Sequence, residues 1–95
     1  MVNVLVVYDI SDDRSRLRAA RLLQSWGLSR IQRSAFLGRI PKHRLKDLGR
    51  ALARLINEET DIVHVIPLQP RDLEAATVLG KPLWARRVLE GVAVI

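Results

Sequence analysis

Residues 2–27, VNVLVVYDISDDRSRLRAARLLQSWG, hold two hydrophobic periods and one switch between them. Residues 2–9 (VNVLVVYD) are nearly all apolar and rich in Val, which is the composition of a buried central strand. After Asp9 the period changes. Ala19, Leu22, Leu23 and Trp26 fall at i, i+3, i+4 and i+7, the core stripe of an amphipathic helix. Asp12 or Asp13 caps that helix, and Gly27 stands where a C′ residue should end it. Arg14, Arg18 and Arg21 repeat on the opposite face. Arg16 falls near the apolar side, in the first turn beside the strand end, where a charge needs a partner.

Working outward, residues 29–39 (SRIQRSAFLGR) alternate. Ile31, Arg33, Ala35 and Leu37 share one side, and Arg30, Gln32, Ser34 and Phe36 share the other. The segment is extended: either one long strand or two short strands with a bend near Ser34, with Gly38 as the expected bulge. Pro41 is expected near the first position of a second helix. Leu45, Leu48, Gly49, Leu52 and Ile56 form its core stripe, and Lys42, Lys46, Arg50 and Arg54 line another face. Residues 61–68 (DIVHVIPL) read as a strand, and residues 75–79 (AATVL) as a short edge strand.

The order is β-α-β-β-α-β plus an extra C-terminal strand. It predicts a ferredoxin-like α+β fold, with two helices on one face of an antiparallel sheet and the first strand central. Residues 1–80 are expected to form that domain. Residues 81–95 form a tail ending in the apolar GVAVI, which is expected to pack on a partner subunit because a chain this short has few places to bury it.

Charge narrows the function classes. Sixteen Lys and Arg stand against ten acids, a net of +6. The imbalance is concentrated: residues 1–57 carry 12 cations and 4 acids, and residues 58–95 carry 4 cations and 6 acids. An Arg-rich half points to a polyanion partner, because guanidinium stays charged and grips phosphate bidentately. There is no cysteine, hence no disulfide framework and no thiolate zinc site. No apolar run approaches the ~18 residues of a membrane span, and no signal peptide is read, so a cytoplasmic protein without membrane contact is expected. No GxGxxG, Walker loop, HExxH or GxSxG occurs.

Three acids lie within residues 9–13. Asp12 and Asp13 fit the start of a helix, where the macrodipole favours negative charge. Asp9, at the C-terminal end of a buried strand, reads two ways from the residues alone: a polar strand terminus, or an oxygen ligand for a hard divalent cation. One carboxylate makes a poor metal site, and a dimer that brought two copies of Asp9 together would supply two ligands. His43 reads as solvated, and His64, in register with Ile62 and Ile66, as a core or interfacial residue. Phe36 is a lone aromatic of its segment and reads as packing at a sheet or dimer surface rather than as a base-stacking platform.

Three segments in this order, VVYDISDDRSRLR (6–18), GLSRIQRSAFLG (27–38) and IVHVIPL (62–68), resemble the CRISPR-associated protein 2 family, the small subunit of spacer-acquisition machinery. The resemblance covers residues 2–80. It implies a ferredoxin-like homodimer in which Asp9 faces its twin and binds Mg²⁺ or Mn²⁺. It also implies metal-dependent cleavage of phosphodiester bonds in RNA or DNA. The family's arginines map onto Arg16, Arg18 and Arg30, and its aromatic onto Phe36, while its usual Ser-Val-Phe reads Ser34-Ala35-Phe36 here. On this reading Asp9, Arg16 and Ser34 form the catalytic set, and Arg14, Arg16, Arg18, Arg21 and Arg30 hold nucleic acid. Tyr8 and Phe36 wall the site or the dimer interface, and the CRISPR integrase is a protein partner. The alternative is a non-catalytic DNA-binding scaffold that bridges integrase dimers.

Overall fold

The structure, a computed structural model, describes residues 1–80 and the backbone of residues 93 and 94. The chain runs β1 (Val2–Asp9), α1 (Asp13–Ser25), β2 (Ser29–Gln32), β3 (Ala35–Ile40), a 3₁₀ turn (Lys42–Arg44), α2 (Leu45–Ala53), β4 (Ile62–Leu68), α3 (Pro70–Ala75), β5 (Thr77–Val78) and β6 (Ala93–Val94). The first four strands form one antiparallel sheet in the order β2-β3-β1-β4, with β1 central as its composition predicts. This is the expected ferredoxin-like α+β arrangement. Among the described residues no helix is long and apolar enough to cross a membrane.

Pleat alternation gives β1 two different faces. Val4, Val6 and Tyr8 are buried in one core with Ala19, Ala20 and Leu23 of α1 and Leu48 and Leu52 of α2. Leu5 and Val7 are only half-buried and lie on the other face, in register with Ile66 and His64 of β4. On that face Ile62 and Ile66 remain 52% and 39% exposed. His64 is exposed there too.

Helix α1 has both of its ends fixed. The Asp12 carboxylate accepts the Ser15 backbone N–H at 2.8 Å, which makes Asp12 the N-cap and Asp13 the first helical residue. At the other end Leu28 N–H donates to the Leu23 carbonyl and Gly27 N–H to the Gln24 carbonyl. That pair of bonds is a Schellman closure, and it needs the positive φ of 87° that Gly27 adopts.

The hairpin resolves into two strands joined by a turn at residues 33–34, and the expected bulge is displaced. The register pairs Arg30 with Phe36 and Gln32 with Ala35, so Ile31 is the extra residue. Gly38 instead sits in regular register opposite Val4. Its role is close approach: a Cβ there would lie 2.9 Å from the Leu28 Cα and 3.3 Å from the Gly27 carbonyl oxygen. The surface placement read for Phe36 is also corrected, since the ring is fully buried in the core.

Pro41 precedes the 3₁₀ turn rather than opening α2, which is shorter than its stripe suggests. Leu48 and Leu52 are its buried residues, and Leu45 and Ile56 pack at the core margin. Helix α3 was not expected. Pro70 at its first position and the Asp72 carboxylate, which accepts Gln69 N–H at 2.7 Å, set its start. The edge strand expected over 75–79 is confined to Thr77–Val78, which pairs in parallel with Ala93–Val94. The expected packing of the tail on a partner subunit falls on side chains outside the described residues.

Candidate nucleic-acid interface at the end of the central strand

Three elements converge beside the last residues of β1. The first turns of α1 bring Arg16 and Leu17, β2 brings Arg30, and the β2–β3 turn brings Arg33 and Ser34. With Tyr8 these residues line a cleft of about 490 Å³. The turn is tied to the strand by the Tyr8 backbone N–H, which donates to the Ser34 carbonyl at 2.9 Å. Within the wall, the Tyr8 and Phe36 rings stack at 6.4 Å and 21°, and the Arg30 guanidinium lies 5.2 Å from the Phe36 centroid. Such a cation–π contact contributes roughly 0.5–2 kcal/mol. Arg16 forms an ion pair with Asp13 one turn earlier. Both partners are substantially exposed, so the pair orients Arg16 more than it stabilises the fold.

The arginines named from sequence fall into three places. Arg16 and Arg30 share the cleft with Ser34 and Tyr8. Arg18 and Arg21 lie in a shallow groove between α1 and α2, together with Arg54 and an apolar floor of Leu22, Ala51 and Leu55. Arg14 is exposed and lines neither.

The three acids of residues 9–13 also separate. Asp12 is committed to its cap, and the Ser15 N–H bond holds its carboxyl below the usual range. Asp13 serves Arg16. Asp9 is exposed, sits opposite Ile62 in register and does not line the cleft. Since Tyr8 faces the core, alternation sends Asp9 out through the opposite sheet face. Among the described residues no cluster of three or more His, Cys, Asp or Glu could hold a metal ion.

Sequence reasoning missed three residues of this region. Arg33 was placed opposite Arg30 by alternation, but the extra residue Ile31 and the turn at 33–34 break that alternation and bring both to one cleft. Leu17, 50% exposed, belongs to no apolar stripe, and its position before Arg18 gave no signal. Asp61 is the third. Its carboxylate accepts Ser11 N–H at 3.0 Å, Asn57 N–H at 2.9 Å and the Thr60 hydroxyl at 3.1 Å. It pins the loop after Asp9 to the α2–β4 connection, and these bonds hold its carboxyl below the usual range, the Ser11 contribution being the largest. An Asp immediately before a strand was the available signal.

Fold and site together define a class: a small ferredoxin-like domain with an arginine-lined cleft and an exposed carboxylate on opposite faces of its central strand's end. The chain belongs to the family described as CRISPR associated protein Cas2, whose profile matches residues 1–76. It is 43% identical over 76 residues to the CRISPR-associated endoribonuclease Cas2 1 of Archaeoglobus fulgidus, spanning 80% of this chain and 81% of that one. It is 36% identical over 73 residues to a CRISPR-associated endonuclease Cas1/endonuclease Cas2 fusion of Thermoproteus tenax, spanning 77% of this chain and 28% of the fusion. The crystal structure of Streptococcus pyogenes Cas2 at pH 6.5 superposes with a TM-score of 0.69 at 30% identity, covering 82% of this chain and 99% of that one.

Proposed function

We propose that the protein is a homodimeric nucleic-acid-binding subunit of CRISPR spacer acquisition that cleaves phosphodiester bonds with a divalent ion, Mg²⁺ or Mn²⁺, held between two copies of Asp9. The observation that carries this reading is the placement of Asp9 at the end of an apolar sheet face against which no other described element packs. Leu5, Val7, Ile62 and Ile66 lie on that face with Asp9 at its border. A two-fold axis through such a face buries the apolar side chains and presents one Asp9 to the other, because an isologous interface repeats each contact. Two carboxylates and water suit a hard cation. When bound, the ion supplies Lewis acidity and an activated water. The chain's own part is to hold the strand: Arg16 and Arg30 grip one of its phosphates in the cleft, on the other side of the sheet from the ion, and the Ser34 hydroxyl is a donor on the same wall. The endoribonuclease name of the Archaeoglobus relative and the endonuclease names of the Thermoproteus fusion support a nuclease.

The test is cleavage of RNA and DNA oligonucleotides with Mg²⁺, with EDTA and by Asp9→Asn, alongside sedimentation of each protein. Full activity in the variant would defeat the metal-site assignment, and a monomeric wild type would defeat the dimer. A second reading is favoured by one observation, the absence of Asp9 from the arginine cleft. On it the protein is a DNA-binding scaffold joining integrase subunits, and the Thermoproteus relative, an endonuclease Cas1/endonuclease Cas2 fusion, supports an association with Cas1. Spacer acquisition that survives Asp9→Asn would select that reading.

A further inference from the structure

We infer that Arg33 is a phosphate-binding residue of the cleft, the third guanidinium beside Arg16 and Arg30, presented by a turn that the Tyr8–Ser34 hydrogen bond holds in place. The inference rests on the reading that the cleft binds nucleic acid. It starts from the turn. Residues 33–34 have no core of their own, yet Tyr8 N–H donates to the Ser34 carbonyl at 2.9 Å and fastens the turn to the central strand. The extra residue Ile31 then brings Arg30 and Arg33 to one side despite their odd spacing. Arg33 is exposed, and no carboxylate among the described residues lies within ion-pairing distance of it.

Asp13 pairs with Arg16 at the edge of this cleft, and the positive field of guanidiniums gathered along one cleft draws an anion to it. Their convergence from a helix, a strand and a turn fits a tetrahedral oxyanion, which three planar donors can surround from different directions. The cleft volume of about 490 Å³ lies within the roughly 300–1,000 Å³ of small-ligand sites. The half-exposed Leu17 side chain gives the same cleft one apolar surface for the sugar or base attached to that phosphate.

The test measures affinity for a labelled single-stranded oligonucleotide in EDTA, where nothing is cleaved, as a function of KCl. Each phosphate contact on a single strand contributes about 0.7 to the slope of log affinity against log salt. Arg33→Ala should weaken binding several-fold at low salt and reduce the slope by about 0.7. Arg33→Lys should restore the slope but not the full affinity, because it keeps the charge and loses the fork. Arg71→Ala, on α3 and outside the cleft, should leave both unchanged. A wild-type slope in Arg33→Ala with a reduced slope in Arg16→Ala overturns the role of Arg33 alone. Wild-type slopes in both variants overturn the cleft as a nucleic-acid site. An equal loss in Arg71→Ala, or no recovery of the slope in Arg33→Lys, also overturns the inference, by reporting net charge or a distorted turn.

Discussion

Tyr8 and Asp9 are neighbours in sequence and leave the end of β1 through opposite faces of the sheet. Tyr8 is 5% exposed and walls the arginine cleft, whereas Asp9 is exposed at the border of the apolar face that carries Ile62 and Ile66. The proposed phosphate site and the proposed cation site therefore fall on different sides of one strand, and single substitutions can separate them.

Asp9→Asn should lower Mg²⁺-dependent cleavage by at least about 100-fold, since it removes the charge from both copies of the ligand. Oligonucleotide affinity in EDTA should not fall, because Asp9 does not line the cleft. Parallel cleavage and fluorescence-anisotropy titrations check both statements. Equal losses in the two would place Asp9 in the phosphate site.

Phe36→Ala should cost roughly 3–5 kcal/mol, the usual range for emptying a fully buried aromatic site. It also removes the surface under the Arg30 guanidinium. Urea unfolding should show the lost stability, and Phe36→Leu should recover much of it while leaving oligonucleotide binding weakened.

Gly38→Ala should destabilise the protein by about 1–3 kcal/mol, because the new methyl meets the Leu28 backbone at 2.9 Å and neither strand nor loop can yield without a shift. A lower urea midpoint with an unchanged m-value is the expected result. A neutral outcome would mean that the α1–β2 loop moves away without cost.

Acid should loosen the loop that follows Asp9. The carboxyl of Asp61 is held below its ordinary value of 3.8 by the Ser11 N–H and then the Asn57 N–H. A folded-state value below the unfolded one contributes stability that is present above about pH 3.8 and is lost as pH falls through the folded value. Asp12 adds in the same direction through its Ser15 bond. Melting temperature measured between pH 6 and pH 2.5 should fall below pH 4, and Asp61→Asn should flatten that fall while starting from a lower plateau.

Where the sequence was informative, the signal was local and repeated. The Val-rich run and the helical stripe through Trp26 placed β1 and α1, and Gly27 marked the turn between α1 and β2, because each rests on period or on one backbone constraint. The acidic pair was legible as a helix start for the same reason. The hairpin was not, since the extra residue Ile31 is set by pairing with β3 and leaves no trace in alternation. Hence Gly38 was given the wrong task and Arg33 the wrong side. Helix α3, at six residues, is too short for a period to register. The second ligand expected beside Asp9 lies in no part of the sequence, because it would be the same residue on another chain.

The buried Phe36 ring touches both Tyr8 and Arg30, and both of these line the arginine cleft. Restraining Tyr8 and Arg30 restrains the buried ring between them, and an occupied cleft stabilises the folded state by mass action. The backbone amides of β1 and β3 should therefore exchange with deuterium more slowly when an oligonucleotide is bound, so that the most buried part of the molecule reports what its surface holds.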